Sequence, residues 1–120
     1  MREEKVKTAD KIPYQELNGA VILVPDKNID EISSMVFQET LRSLFRDGHI
    51  RLIIDLSEVN YMASSAWGII VAMTEQVKAK GGSLSLCNVG PDLRKVIMTV
   101  QLDESLTIHS DREEAVAFFK

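Results

Sequence analysis

The residues best placed to do chemistry are two adjacent serines, Ser64 and Ser65, in the run Asn60-Tyr61-Met62-Ala63-Ser64-Ser65-Ala66-Trp67-Gly68. A serine pair can cap a helix, attack as an activated nucleophile or accept a phosphate. Attack needs a G-x-S-x-G elbow with a base and an orienting acid. Ala63-Ser64-Ser65-Ala66 lacks the glycines, and no motif ties His49 or His109 to the serines. Both histidines read as lone surface residues near element ends. Cys87, in the apolar run Leu84 to Val89, reads as a core residue without a disulfide partner. The sequence shows no phosphate-binding loop, dinucleotide glycine fingerprint or metal-ligand cluster. No enzyme, metal or cofactor is expected.

The elements around the serines give them a position. Leu52-Ile53-Ile54 is a continuous apolar run, too short for a helix core and bounded by charges, which suits a central strand covered on both faces. Asp55 ends that strand, either bracing the loop beyond it or standing solvated. From Ser64 to Lys80, apolar Trp67, Ile70, Val71, Met73 and Val77 keep to one side of a helix that Gly81-Gly82 ends. The serines therefore sit where a strand hands over to a helix start, a place that favours a capping hydroxyl and tolerates a phosphate.

The rest of the chain alternates in the same way. Residues 1 to 11 are charged and aperiodic, a flexible lead-in; the domain proper is expected over 12 to 120. Asn18-Gly19 between Ile12 to Leu17 and Ala20 to Pro25 is a hairpin signal, the second strand being the more apolar. Asn28 and Glu31 are spaced as a capping box for a helix carrying Ile32, Met35, Val36, Phe37, Leu41, Leu44 and Phe45 and stopping at Asp47-Gly48. A strand Ser83 to Cys87 is followed by a helix opened by Pro91, with Leu93, Val96, Ile97 and Val100 apolar. Leu106 to Ile108 is a last strand, and Ser110 to Glu113 a capping box for a final helix with Ala115, Val116, Phe118 and Phe119. The order β-β-α-β-α-β-α-β-α predicts one α/β domain with a mixed, mostly parallel sheet.

Composition fits a globular chain: 120 residues, 45% hydrophobic and 27% charged. A net charge of −4 argues against nucleic acid as the main partner. No apolar run approaches the ~20 residues that span a bilayer. The charged start, Met1-Arg2-Glu3-Glu4-Lys5, lacks the apolar stretch of a signal peptide, so a cytoplasmic location without membrane contact is expected.

The run Leu52-Ile53-Ile54-Asp55-Leu56-Ser57, continued by Val59, Tyr61-Met62, Ser64-Ser65 and Gly68, resembles the signature of anti-sigma-factor antagonists, the small bacterial STAS-domain proteins. Their strand-loop-helix reads approximately L-V-L-D-L-S-x-V-x-F-I-D-S-S-G-L-G. The similarity extends through Asn18-Gly19, Asp30, Gly81-Gly82, Asn88-Val89, Pro91, Arg94-Lys95-Val96 and Leu102-Asp103. It implies a regulator that binds an anti-sigma factor, itself a serine kinase of the histidine-kinase-like ATPase type, and so releases a sigma factor for transcription. It also implies that the kinase phosphorylates the serine matching Ser64, with Ser65 the fallback acceptor, that this ends binding, and that a separate phosphatase restores it. The expected partner-binding residues are Asn60, Tyr61, Met62, Ala63, Ser64, Ser65 and Trp67.

Three residues depart from the family pattern: Ala63 replaces Asp, Ala66 replaces Gly and Trp67 replaces Leu. The lost carboxylate lies, in the family, beside the phosphorylated serine. It opens a second reading, a STAS scaffold or sensor that binds a protein or small ligand constitutively. Ser64 also has the plain reading of a helix N-cap, and Ser65 that of the fallback acceptor or the true cap. Trp67 reads as core, or as an interface anchor if exposed, and Tyr61 as a binding residue or a part-buried aromatic.

Overall fold

A computed structural model describes residues 12–102 and 104–118. The lead-in at 1 to 11, Asp103 and Phe119 lie outside these. The elements run β1 (Tyr14–Leu17), β2 (Ala20–Leu23), α1 (Ser33–Arg46), β3 (Arg51–Asp55), α2 (Ser64–Ala79), β4 (Ser83–Cys87), α3 (Pro91–Thr99), β5 (Thr107–His109) and α4 (Arg112–Ala117). This is the order expected from the sequence. The Asn18-Gly19 turn takes positive φ at both residues and pairs β1 antiparallel to β2, while β2 through β5 pair in parallel.

Strand order in the sheet equals strand order in the chain. When each parallel strand is added on the same side of the last, right-handed crossovers place every connecting helix on one face. Strand alternation shows the result. Leu52, Ile54, Leu84 and Leu86 share a core with Phe37 and Leu41 of α1, Ile70 and Val77 of α2, and Leu93 and Ile97 of α3. Ala20, Ile22, Ile53 and Cys87 face the other way and pack with Ala115 of α4. The continuous apolar runs of β2 and β3 are thus explained by cover on both faces.

Local chemistry differs from expectation at several points. The first helix is opened by Asp30 and Ser33, not by Asn28 and Glu31: Ser33 N donates to Asp30 Oδ1 (2.8 Å) and Asp30 N to Ser33 Oγ (2.9 Å). These bonds hold the Asp30 carboxyl below its usual range, the Ser33 backbone N–H contributing most. Asp111, not Ser110, caps α4 by accepting from Glu114 N at 2.9 Å. Ile32 and Met35, counted among the apolar residues of the first helix, stand exposed, as do Val96 of α3 and Val100 just past its end. His109 is no surface histidine: its ring packs on Phe118 at 5.1 Å and its side chain is 11% exposed. His49 lies 3.8 Å from Glu16.

Candidate functional site

The C-terminal ends of β2 and β3 bring two loops together. One leads into α1, the other into α2. Asn28 Oδ1 accepts from both Asn60 N (2.7 Å) and Tyr61 N (3.2 Å). Ile29 N donates to Tyr61 O, and Ala63 N to Ile29 O at 2.8 Å, forming a short parallel bridge between Ile29 and Met62. Two main-chain bonds and a two-bond side-chain clamp thus fix the approach to the serines before α2 begins. Nothing in the local sequence marks Asn28 for this work, because its partners lie over thirty residues downstream.

The clamp sorts the expected site residues into two groups. Met62, Ala63 and Trp67 are withdrawn from the surface, at 4%, 2% and 6% exposure. Met62 and Trp67 belong to the α1–α3 core, and the Ala63 backbone is held against Ile29, so none of the three side chains is presented at the surface of the free protein. Asn60, Tyr61 and Ser64 are exposed, and Ser65 is half-buried. Tyr61, 55% exposed, joins Ile32 (78%) and Met35 (69%) as large apolar side chains left in solvent at this end.

Neither serine is the helix N-cap. Ala63 holds that position, with extended backbone (φ −65°, ψ 158°) and no side chain able to cap. Ser64 is the first helical residue, and its hydroxyl makes no hydrogen bond to another described residue. Ser65 Oγ turns to the neighbouring helix, donating to Ser34 Oγ at 3.0 Å with Glu31 Oε1 at 3.5 Å. Ser34 Oγ in turn donates to Glu31 O at 2.7 Å.

The uncapped start makes a stability test. An aspartate at 63 would accept from the N–H groups of Ser65 and Ala66 and meet the positive end of the helix dipole, so Ala63→Asp is expected to raise stability by about 1 kcal/mol. Urea denaturation checks this; a lowered midpoint would mean that the site has no room for the carboxylate.

On the opposite face, Asp55 is a brace and not a solvated acid. At 2% exposure it accepts from Ser57 N (3.0 Å), Asn88 Nδ2 (3.1 Å) and Arg112 Nε (2.5 Å). Burial pushes its carboxyl up, but the bonds from Arg112, Ser57 and Asn88 together outweigh this and leave it below the usual 3.8. Beside it Cys87 is fully buried, and burial with the Asp55 charge pushes its thiol up to about 12, so it supplies no thiolate at neutral pH. A shallow cleft of about 480 Å³ lies between α4 and the hairpin, but its donors Asn88 and Arg112 are already turned to Asp55 and Gln15. Among the described residues no helix is long and apolar enough to cross a membrane.

Comparison with known proteins places the chain in a family. A family model described as the STAS domain matches residues 11–115. The anti-sigma-B factor antagonist of Bacillus subtilis is 34% identical over 88 residues, covering 73% of this chain and 80% of the relative. Among solved structures, an anti-sigma-factor antagonist (STAS) domain protein from Planctomyces limnophilus superposes with TM-score 0.81 at 20% identity, covering 90% of this chain and 97% of the other. SpoIIAA, a Bacillus cell fate determinant solved in its phosphorylated form, gives TM-score 0.70 at 18% identity, with 91% and 99% covered.

Proposed function

Because the chain belongs to the STAS-domain family of anti-sigma-factor antagonists, we propose that it binds an anti-sigma factor through the serine end of the molecule, releases a sigma factor, and is switched off by phosphorylation of Ser64. The expected partner is a serine kinase of the histidine-kinase-like ATPase type, opposed by a separate phosphatase. The protein itself supplies no catalytic step; it is the kinase's substrate.

One observation carries the reading: Ser64 is an exposed hydroxyl without a side-chain partner among the described residues, on a rigid helix start, at the end of the molecule where Tyr61, Ile32 and Met35 stand exposed. Exposed apolar side chains near one another mark a surface that another protein covers. Their burial supplies affinity, and the serine among them supplies control. A phosphate at the first residue of α2 gains about 0.3–1 kcal/mol from the helix dipole in the free protein. Packed against a partner, the same two charges lose their water and weaken the complex. The modification is thereby tolerated by the fold and opposed by the interface.

The loss of the family's aspartate at position 63 does not remove this logic. With Ala63 as N-cap, that carboxylate would serve the helix start, and the exposure of Ser64 does not depend on it. The competing reading, a constitutive scaffold or sensor, has less support, since the cleft beside α4 keeps its donors engaged within the protein.

The test uses the cognate anti-sigma kinase and ATP, with phosphate mapped by mass spectrometry and binding measured for the wild type and Ser64→Asp. Wild type is expected to form the complex, to take phosphate on Ser64, and to lose at least about tenfold in affinity on Ser64→Asp, about 1.4 kcal/mol. A complex with no phosphate transfer selects the constitutive scaffold. No complex with any such kinase defeats both the switch and the partner.

A further inference from the structure

The two serines are adjacent in sequence and unequal in surroundings. We infer that Glu31 and Ser34 of the α1 end determine which serine accepts phosphate, by occupying Ser65 and leaving Ser64 as the acceptor. The inference rests on the proposed phosphorylation of this site and adds what sets its specificity.

The geometry is particular. Ser65 is half-buried between the helices, and its hydroxyl donates to Ser34 Oγ at 3.0 Å. Ser34 is 3% exposed and gives its own proton to Glu31 O at 2.7 Å, so its oxygen is available to accept from Ser65. Glu31 Oε1 lies 3.5 Å from Ser65 Oγ. Phosphoryl transfer forms an Oγ–P bond, breaks the bond between the γ-phosphorus of ATP and its bridging oxygen, releases ADP and gives the hydroxyl proton to a base of the kinase or to water. At Ser65 this requires pulling the hydroxyl off Ser34, opening the contact between the helices and placing a dianion beside a carboxylate, where like charges repel. At Ser64 none of these changes is needed. The nearby carboxylate therefore acts against one acceptor without touching the other; Glu31 and Ser34 are positioning residues.

Two measurements test this separately from the switch itself. The first needs no kinase. Thermal melts of Ser64→Asp and Ser65→Asp, each with and without Glu31→Gln, read the cost of a negative charge at each position. Ser65→Asp is expected to lower Tm by about 4 °C or more, with part of the loss recovered on Glu31→Gln, while Ser64→Asp stays within about 2 °C of wild type and is insensitive to residue 31. Equal melting of the two aspartate variants overturns the inference.

The second measurement maps phosphate after treatment with the anti-sigma kinase and ATP. In Ser64→Ala, incorporation is expected to fall at least tenfold, and in the triple variant Ser64→Ala, Glu31→Gln, Ser34→Ala to reappear on Ser65. Ready modification of Ser65 in Ser64→Ala also overturns the inference. If neither serine of the wild type is modified, the proposed switch fails, and the melts still decide whether α1 discriminates between the two positions.

Discussion

Asp55→Ala is expected to lower the stability of the protein by about 3 kcal/mol. Removing one partner of a buried ion pair leaves the other uncompensated, at a typical cost of about 3–5 kcal/mol. The lower end applies because Arg112 is 36% exposed on its side chain and regains water, whereas Asp55 is 2% exposed. Ser57 N and Asn88 Nδ2 lose an acceptor at the same time. Arg112→Ala should be less severe than Asp55→Ala if Asn88 and the Ser57 amide continue to hold the carboxylate. Urea denaturation of the two variants ranks them, and an Asp55→Ala loss below about 1 kcal/mol would contradict a bracing role.

The same carboxylate predicts a pH dependence. Its pKa is lower in the folded protein than in the unfolded chain, where aspartate titrates near ~3.9. The unfolded chain therefore takes up a proton first on acidification, and the stability contributed by Asp55 is complete above that value and lost as pH falls toward and through the folded pKa. Between pH 7 and 5 this group should leave the unfolding midpoint unchanged. Below about pH 4 the wild type should lose stability more steeply than Asp55→Asn, measured as the difference between their midpoints.

Gly82→Ala is expected to cost at least about 3 kcal/mol or to prevent folding. A Cβ there would lie 2.0 Å from Ile50 O and 2.5 Å from Ile50 Cβ. That carbonyl accepts Ser83 N at 2.8 Å, the bond that starts β4 beside β3, so it cannot retreat without disturbing the register Arg51 to Ser83. Gly82 N also closes the C-terminal turn of α2 on Val77 O, beyond Gly81 at φ +87°. Gly68→Ala is the natural control. In the middle of α2, with nothing within 4 Å of an added Cβ, it should stabilise the fold by about 0.5–1 kcal/mol. A denaturation series in which both substitutions moved stability the same way would refute the assignment of Gly82 to close backbone approach.

The sequence makes the framework legible where one residue type does one job over a short span. Leu52 to Ile54 suits a strand covered on both faces, Asn18-Gly19 a tight hairpin, and Gly81 the residue past a helix end. The serine position followed from these. What holds the serines did not, because Asn28 meets Asn60 at a separation of 32 residues, Ser65 meets Ser34 at 31, and Arg112 meets Asp55 at 57. No local pattern encodes such meetings. Spacing also cannot tell an inward from an outward apolar residue at a helix start, so the exposure of Ile32 and Met35 was not legible. At α4 both Ser110 and Asp111 had the right chemistry to cap, and the extended backbone of Asp111 decides between them.

The agreement of strand order with chain order has a consequence for how the molecule is made. From β2 onward every strand pairs with the one before it, so the sheet can lengthen at an open edge as the chain is synthesised, each addition closing one helix-containing crossover between neighbours in the chain. α4 is different. Its Arg112 must find Asp55 across 57 residues, after β4 and β5 are in place. Docking of this last helix is therefore expected as the late event in folding, and until it occurs one side of the sheet, with Ile22, Ile53 and Cys87, stays open to misassociation.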